Sequence, residues 1–318
     1  MTTKRTICAS RKDSFARPLR VGIPRAMGYY EHGPFWVHFF ELLHCKVILS
    51  PPTNQEIMNL GVRAATSELC LPMKVLVGHA CALEGKVDAI FVPRYLSFAA
   101  GEMCCPKSCA LPDIIRFALG GKTKILEADV DPDRFSDNEH ALLFTSISKQ
   151  MNLSEEKLRT TFFRAQELFE AAEENQFIKG TKKTLAILGH PYVLEDPRIS
   201  MEVAQKLHAH GFDVIMPKDL SHRSKRADVH PYDGKPFYAV GLDVLGSAHY
   251  LLKKENICGI IYLTPFGCGI DALTAAHVEE HLHQAERALP FMKLTVDEQT
   301  GEAGFDTRLE AFLDMIGE

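Results

Sequence analysis

Alternation constrains this chain more than any other feature: short apolar runs rich in Val and Ile are each followed by a longer amphipathic stretch. In the first half the order is LRVGIPRA, YYEHGPFWVHFFELLH, CKVILSP and NQEIMNLGVRAA, which reads strand, helix, strand, helix. Residues 71–84 predict a helix, VDAIFVPRY (87–95) a buried strand, LPDIIRFAL a helix and TKILEADV a strand. Parallel strands need crossover helices between them, so the pattern predicts an α/β fold with a parallel, doubly wound sheet. It restarts at KKTLAILGHPY (182–192). From there it runs through a helix near 198–210, the strand FDVIMP, a polar loop over 221–236, the strands ICGIIYLTPF (257–266) and FMKLTVDE (291–298), and the closing helix TRLEAFLDMI. Between the two units Glu, Lys, Ala, Leu and Phe dominate, and LSEEKLRTTFFRAQELFEAAEEN predicts a long helix capped by Ser154. The expected organisation is a flexible tail (1–18), a first α/β lobe (19–132), a helical connector (133–180) and a second α/β lobe (181–318).

In open parallel sheets ligands bind beyond the carboxyl ends of the strands. The loops after RVGIPRA, VDAIFVPRY, LAILGHPY and IIYLTPF should therefore face a shared crevice, and cysteines lie on two of them. They are Cys104, Cys105 and Cys109 in GEMCCPKSC and Cys268 in TPFGCGID, with Cys70 in SELCLPMK at the start of a helix. Thiolates converging from loops shaped by Gly and Pro, near free backbone N–H groups, suit an iron–sulfur site. Nine cysteines in all is an odd number for a disulfide framework. Cys45, Cys81 and Cys258 sit in apolar runs and read as buried thiols, and Cys8 as a free thiol of the tail. Zinc competes, although CCPKSC lacks the usual CxxC knuckle. Cys104 and Cys109 read equally as ligands or as packed thiols.

Other residues carry two readings each. His190 ends a strand at the ligand edge and lies either near the cofactor or in loop packing, whereas His79 reads as a satisfied core histidine. Lys74 and Lys107 either offset the negative charge of a thiolate-bound cluster or are surface charge. Arg25 and Arg94, after Pro24 and Pro93, either bind an anion in the cleft or form structural ion pairs. Glu31-His32 and the aromatic group Tyr29, Tyr30, Phe35, Trp36, Phe39 and Phe40 make an unusually aromatic first helix, for core packing or for a subunit interface. His277 and His281 match H-x-x-E-H, a zinc-peptidase pattern, but also the solvated face of a polar helix. Gly121-Lys122-Thr123 resembles the end of a phosphate loop in the wrong order, between helix and strand.

Composition excludes broad classes. A net charge of -5 argues against a nucleic-acid footprint, and no apolar run nears the roughly 18 residues of a membrane span. Residues 1–20 are basic and hydroxyl-rich without the apolar core of a secretory signal, so the expectation is a cytoplasmic protein.

Taken together, IPRAMGYYEHGPFWVHFFELLHCKVILSPPTN, SELCLPMKVLVGH, FVPRYLS, CPKS, GHPY, TPFGCGID and DEQTGEAGFDTRLEAFLD resemble a known family. It is the uncharacterised domain attached to, or encoded beside, the ATP-dependent activases of 2-hydroxyacyl-CoA dehydratases and benzoyl-CoA reductases. The resemblance runs from Leu19 to Ile316, with a more distant likeness to double-cubane cluster proteins. It implies two Rossmann-like lobes with parallel sheets joined by a helical connector. It further implies a low-potential iron–sulfur cluster in the cleft, either 4Fe-4S or a bridged double cubane, reduced by an ATP-dependent activase protein. The ligands implied are Cys70, Cys105 and Cys268. The doubled thiol of CCPKSC departs from the pattern, so Cys104 is an alternative to Cys105 and Cys109 a possible recruit. The implied function is low-potential electron transfer or reduction, as a homodimer or heterodimer. The alternative is a non-catalytic scaffold or cluster-transfer partner of the activase.

Overall fold

The structure, a computed structural model, describes residues 17–99, 102–131, 140–173, 183–226, 229, 238–285 and 287–317. Cys8 and nearly all of the expected tail lie outside the described residues, as does most of the polar loop after 226.

The first unit runs β1 (Arg20–Ile23), α1 (Tyr29–Leu42), β2 (Lys46–Leu49), α2 (Gln55–Ala64), α3 (Leu71–Leu83), β3 (Ala89–Phe91), β4 (Arg94–Tyr95), β5 (Ser97–Ala99) and β6 (Glu102–Met103). It continues with α4 (Pro106–Cys109), α5 (Leu111–Ala118), β7 (Ile125–Leu126) and β8 (Asp129–Val130). Then come α6 (His140–Met151) and α7 (Glu155–Glu173). The second unit is β9 (Thr184–Leu188), α8 (Pro191–Leu194), α9 (Val203–Ala209), β10 (Asp213–Ile215), α10 (His222–Arg226), α11 (Ala239–Leu252), β11 (Ile257–Pro265), α12 (Gly269–Gln284), β12 (Phe291–Val296) and α13 (Glu302–Gly317).

Each unit builds one four-stranded sheet, ordered β2-β1-β3-β7 and β10-β9-β11-β12, with every pairing parallel. Numbered within its own sheet, each reads 2-1-3-4, the doubly wound pattern of a Rossmann-like lobe. The winding reverses between the first and third strands, which lie on opposite sides of the switch in strand order, so the loops after β1, β3, β9 and β11 reach one edge of their sheets.

The structure refines the sequence reading at particular places. VDAIFVPRY is two strands, because Pro93 has no N–H to give; Val92 N and Arg94 N still donate to Leu126 O (2.9 Å) and Ala128 O (2.8 Å). The connector holds two helices, and the backbone N–H of Lys157 donates to the Ser154 hydroxyl as expected of a cap (3.3 Å). Rather than standing apart, α7 covers α1, with Phe162 and Phe169 against Phe35 at 5.0 and 6.4 Å between ring centroids. The aromatics of α1 therefore serve the core, where Trp36 and Phe40 also meet Phe91. Helix α11 escaped the sequence reading. It is buried on nearly every side, so no polar face marks it as a periodic pattern.

Glycine lets α2 and α3 touch backbone to backbone: a Cβ on Gly61 would lie 2.0 Å from Lys74 O, and one on Gly78 2.1 Å from Ile57 O. This contact fixes where α3 begins, and so where Cys70 stands. One apolar cluster joins Leu71, Met73 and Ile90 of the first unit to Leu185, Leu263 and Phe305 of the second. Polar ties add to it. Arg226 pairs with Glu102 (2.6 Å), Lys74 with Glu298 (2.7 Å), and Asp196 accepts from Tyr30 (3.0 Å) and Thr53.

Candidate metal centre

Three of the thiols occupy the same kind of position. Cys70 is the N-cap of α3, Cys105 of α4 and Cys268 of α12, each with extended backbone and, for the first two, a proline at the first or second helical residue. An N-cap residue faces the free N–H groups of the first turn. Proline there has no N–H to lose and presets the helix, which is why LCLP and CCP start helices.

The turns that carry these caps pack on one another. Gly267 takes φ +80°, and a Cβ added to it would lie 3.4 Å from the Cα of Cys70 and 3.7 Å from its Cβ. Leu71 N donates to Phe266 O across the same contact (3.4 Å). Lys107 ties in the third turn by donating Nζ to Glu68 O (3.1 Å). The Cys70 thiol consequently feels both Cys105 and the Lys107 ammonium, and the Cys268 thiol feels Cys70.

Burial pushes the Cys268 thiol up to about 12, helped by the Asp271 carboxylate. Burial also raises Cys70, Cys109 and, most strongly, Cys104. Cys104 lies one residue before the cap, buried, with its backbone N–H bonded to Leu96 O (2.9 Å). It faces a small cavity lined by Met27, Glu31, Tyr95, Cys105, Ser108 and Tyr192. Residues following β1, β3 and β9 thus line one space, the shared crevice that the strand order calls for. Cys109 ends α4, and its carbonyl accepts from Arg94 (2.5 Å).

On the second unit's side the site changes chemistry. His190, wholly buried, places Nδ1 2.5 Å from the Tyr192 hydroxyl and Nε2 3.2 Å from Asp271 Oδ1. Asp271, also wholly buried, accepts from the Tyr262 hydroxyl at 2.6 Å. Nearby carboxylate and thiol groups add to burial in holding both tyrosines protonated. The ligand atoms of His190, Cys268 and Asp271 fall within 4.8 Å of one another.

The remaining candidates are placed elsewhere or otherwise engaged. Lys74 is buried and spends its charge on Glu298. Arg94 holds Asp113 (2.8 Å) and Glu127 (3.1 Å) in a structural network. His79 is a satisfied core histidine between Ser50 (2.8 Å) and Thr53 (2.9 Å), with burial lowering it to about 3. His277 bonds back to Leu273 O (2.9 Å) and His281 pairs with His249 (2.7 Å), so the H-x-x-E-H helix divides its two histidines between different partners. Gly121 lies in the turn from α5 to β7, the order opposite to that of a phosphate loop.

Tyr192 and Asp271 were not singled out by the sequence reading, and Glu31 entered it only as part of the aromatic first helix, with no role at the site. Asp271 stands three residues after Cys268, where the helix returns to the cap, and Tyr192 lies inside GHPY itself; those spacings were the available signal. Glu31 gave none, since it shares its helix with core aromatics.

Fold and site together define a two-lobed α/β protein with Cys104 and Cys105 lining a cavity at the strand ends. The chain belongs to the family of the CoA enzyme activase uncharacterised domain, whose model matches residues 20–220. That stretch includes Cys70, Cys104, Cys105, Cys109 and His190, while Cys268 lies beyond it. No curated protein matches the chain. Among the described residues no helix is long and apolar enough to cross a membrane.

Proposed function

We propose that the protein is an iron–sulfur component for low-potential electron transfer or reduction, working with an ATP-dependent activase. The observation that supports this reading is that three cysteines cap helices on separate segments that approach one another: the Gly267 turn packs on Cys70, and the Cys70 thiol lies within electrostatic reach of Cys105 and Cys268. The donors fit the group: soft sulfur ligands beside free helix N–H groups, with the Lys107 ammonium near Cys70. Cys70, Cys105 and Cys268 would hold a 4Fe-4S cluster, and Cys104 and Cys109 stand near enough to Cys105 to serve a larger one. When bound, the cluster supplies one-electron transfer at low potential. The chain's own residues exclude water from it: the caps are buried or half-buried, and Tyr192 and Tyr95 line the adjoining cavity. Family membership supports an activase as partner, and ATP hydrolysis would belong to that partner. Eight unpaired cysteines among the described residues suit a reducing compartment such as the cytoplasm.

Anaerobic iron and sulfide analysis with electron paramagnetic resonance tests the reading on the wild type and on a Cys70→Ser, Cys105→Ser, Cys268→Ser triple variant. The expected result is about four irons per chain in the wild type and none in the variant. A reconstituted wild type without iron would refute it.

A further inference from the structure

The second unit's half of the site holds a feature that a cluster leaves unused. Tyr192 fixes Nδ1 of His190 and Tyr262 fixes Oδ1 of Asp271, each through a hydroxyl at 2.5 and 2.6 Å. Nε2 of His190 then sits 3.2 Å from Oδ1, but off hydrogen-bond geometry. Nε2 and the other carboxylate oxygen, Oδ2, have no hydrogen-bond partner although both side chains are wholly buried. An unmade hydrogen bond on a buried polar atom costs on the order of 1–3 kcal/mol, and here two such atoms belong to side chains whose ligand atoms lie within 4.8 Å of one another. In the tautomer whose Nδ1–H donates to the Tyr192 oxygen, Nε2 presents a lone pair to a carboxylate, an arrangement that a cation between them relieves.

We propose that His190, Cys268 and Asp271 form a site for a single divalent ion of the zinc class, held by Nε2, Sγ and a carboxylate oxygen. The spacing suits one ion. Bonds of about 2.0–2.1 Å at a tetrahedral angle put a nitrogen and an oxygen ligand roughly 3.3 Å apart, and a thiolate at about 2.3 Å roughly 3.6 Å from each. The observed N···O separation is 3.2 Å, and all three ligand atoms lie within 4.8 Å. The two tyrosine hydroxyls are the outer partners that ligating His and carboxylate groups require for orientation. Three protein ligands leave one tetrahedral position for water or a substrate atom. In a cubane each iron takes one terminal ligand, so Nε2 and a carboxylate oxygen this close to Cys268 have no place on a cluster bound there. The inference goes beyond the cluster reading and does not rest on it; the two share Cys268, so ion and cluster compete for that thiolate.

The test titrates the anaerobic metal-free protein with Co2+ and follows the thiolate-to-cobalt charge-transfer band and proton release. One cobalt per chain is expected, displaced by Zn2+, with about one proton released from the thiol. Cys268→Ser should abolish the band, His190→Gln should weaken binding at least 10-fold to 100-fold, and Cys70→Ser and Cys105→Ser should leave both unchanged. X-ray absorption on the zinc-loaded wild type, which needs no variant to fold, should show one sulfur among nitrogen and oxygen ligands. A three-sulfur shell, no cobalt binding by folded wild type, or a band that survives in Cys268→Ser would each overturn the proposal. Because Cys105→Ser removes the cluster but not the ion, a failed ion site with an intact cluster, or the reverse, identifies which reading fell.

Discussion

The two lobes share one strand order and differ in what they bring to the cleft. In each, the third strand of the sheet runs toward the crevice and a cysteine follows. After β11 it comes at once, as Cys268, whereas after β3 the chain first makes the excursion of β4, β5 and β6 before reaching Cys105. The first lobe adds Cys70 as the N-cap of α3, while the corresponding helix of the second, α11, is capped by Tyr238. One lobe therefore offers sulfur almost alone; the other offers one sulfur, an imidazole and a carboxylate. Equivalent topology fixes the edge to which loops are delivered, and loop sequence alone decides the chemistry placed there.

If the lobes act as one site, the contacts between them should cost more to lose than similar contacts within either. Arg226 of the second lobe is bidentate to Glu102 at 2.9 and 2.6 Å, bonds Asp243 at 2.5 Å, and Glu102 is 4% exposed. Arg226→Ala takes the bidentate cation away from that buried carboxylate, and a loss of about 3–5 kcal/mol in urea unfolding is expected. Arg94 makes three ion pairs inside the first lobe, one more than Arg226, but the Asp113 and Asp129 side chains are 56% and 44% exposed, so Arg94→Ala should cost nearer 1 kcal/mol. Equal losses in the two variants would contradict a closed, rigid cleft.

The next effect is smaller and separates position from stability. Both lobes seat a helix against backbone through glycine, Gly78 on Ile57 O in the first and Gly246 on Lys225 O in the second. Gly78→Ala and Gly246→Ala should each cost about 1–3 kcal/mol by forcing the helices apart. Only Gly78→Ala moves the helix that Cys70 caps, so it should also lower iron incorporation at a temperature where both variants are folded. Loss of iron in the Gly246 variant alone would break the assignment of Cys70 to the site.

Much of this was legible in the sequence. Alternation gave two parallel sheets and placed Cys70 at the start of α3, and the Gly on either side of Cys268 marked a turn, whereas the short α4 that Cys105 caps was not read. What was not legible is long-range. Helix α11 has no polar face to announce it, and the Asp271 carboxylate reads as an ordinary first-turn acid until Tyr262 and His190 are brought beside it by β11 and β9. Glu31 was hidden for the same reason, because only the fold places it across from Cys104.

Glu31 offers the smallest and most specific test. It is the one carboxylate among the described residues lining the Cys104 and Cys105 cavity, and thus the first lobe's counterpart to Asp271. Burial, then the Asp243 and Glu195 carboxylates, raise it from 4.5 to about 7 against the pull of Lys225. A carboxyl that holds its proton more tightly when folded stabilises the protein below its unfolded value, and that contribution is lost as pH rises through its folded value. The metal-free protein should accordingly lose stability between about pH 4.5 and pH 7, and Glu31→Gln, neutral throughout, should lose less. Urea midpoints at about pH 5 and pH 7.5 for both proteins measure the difference. Identical losses would assign the whole effect to Glu195 and Asp196, which burial also raises, and would leave the first lobe's half of the cleft without a titrating acid.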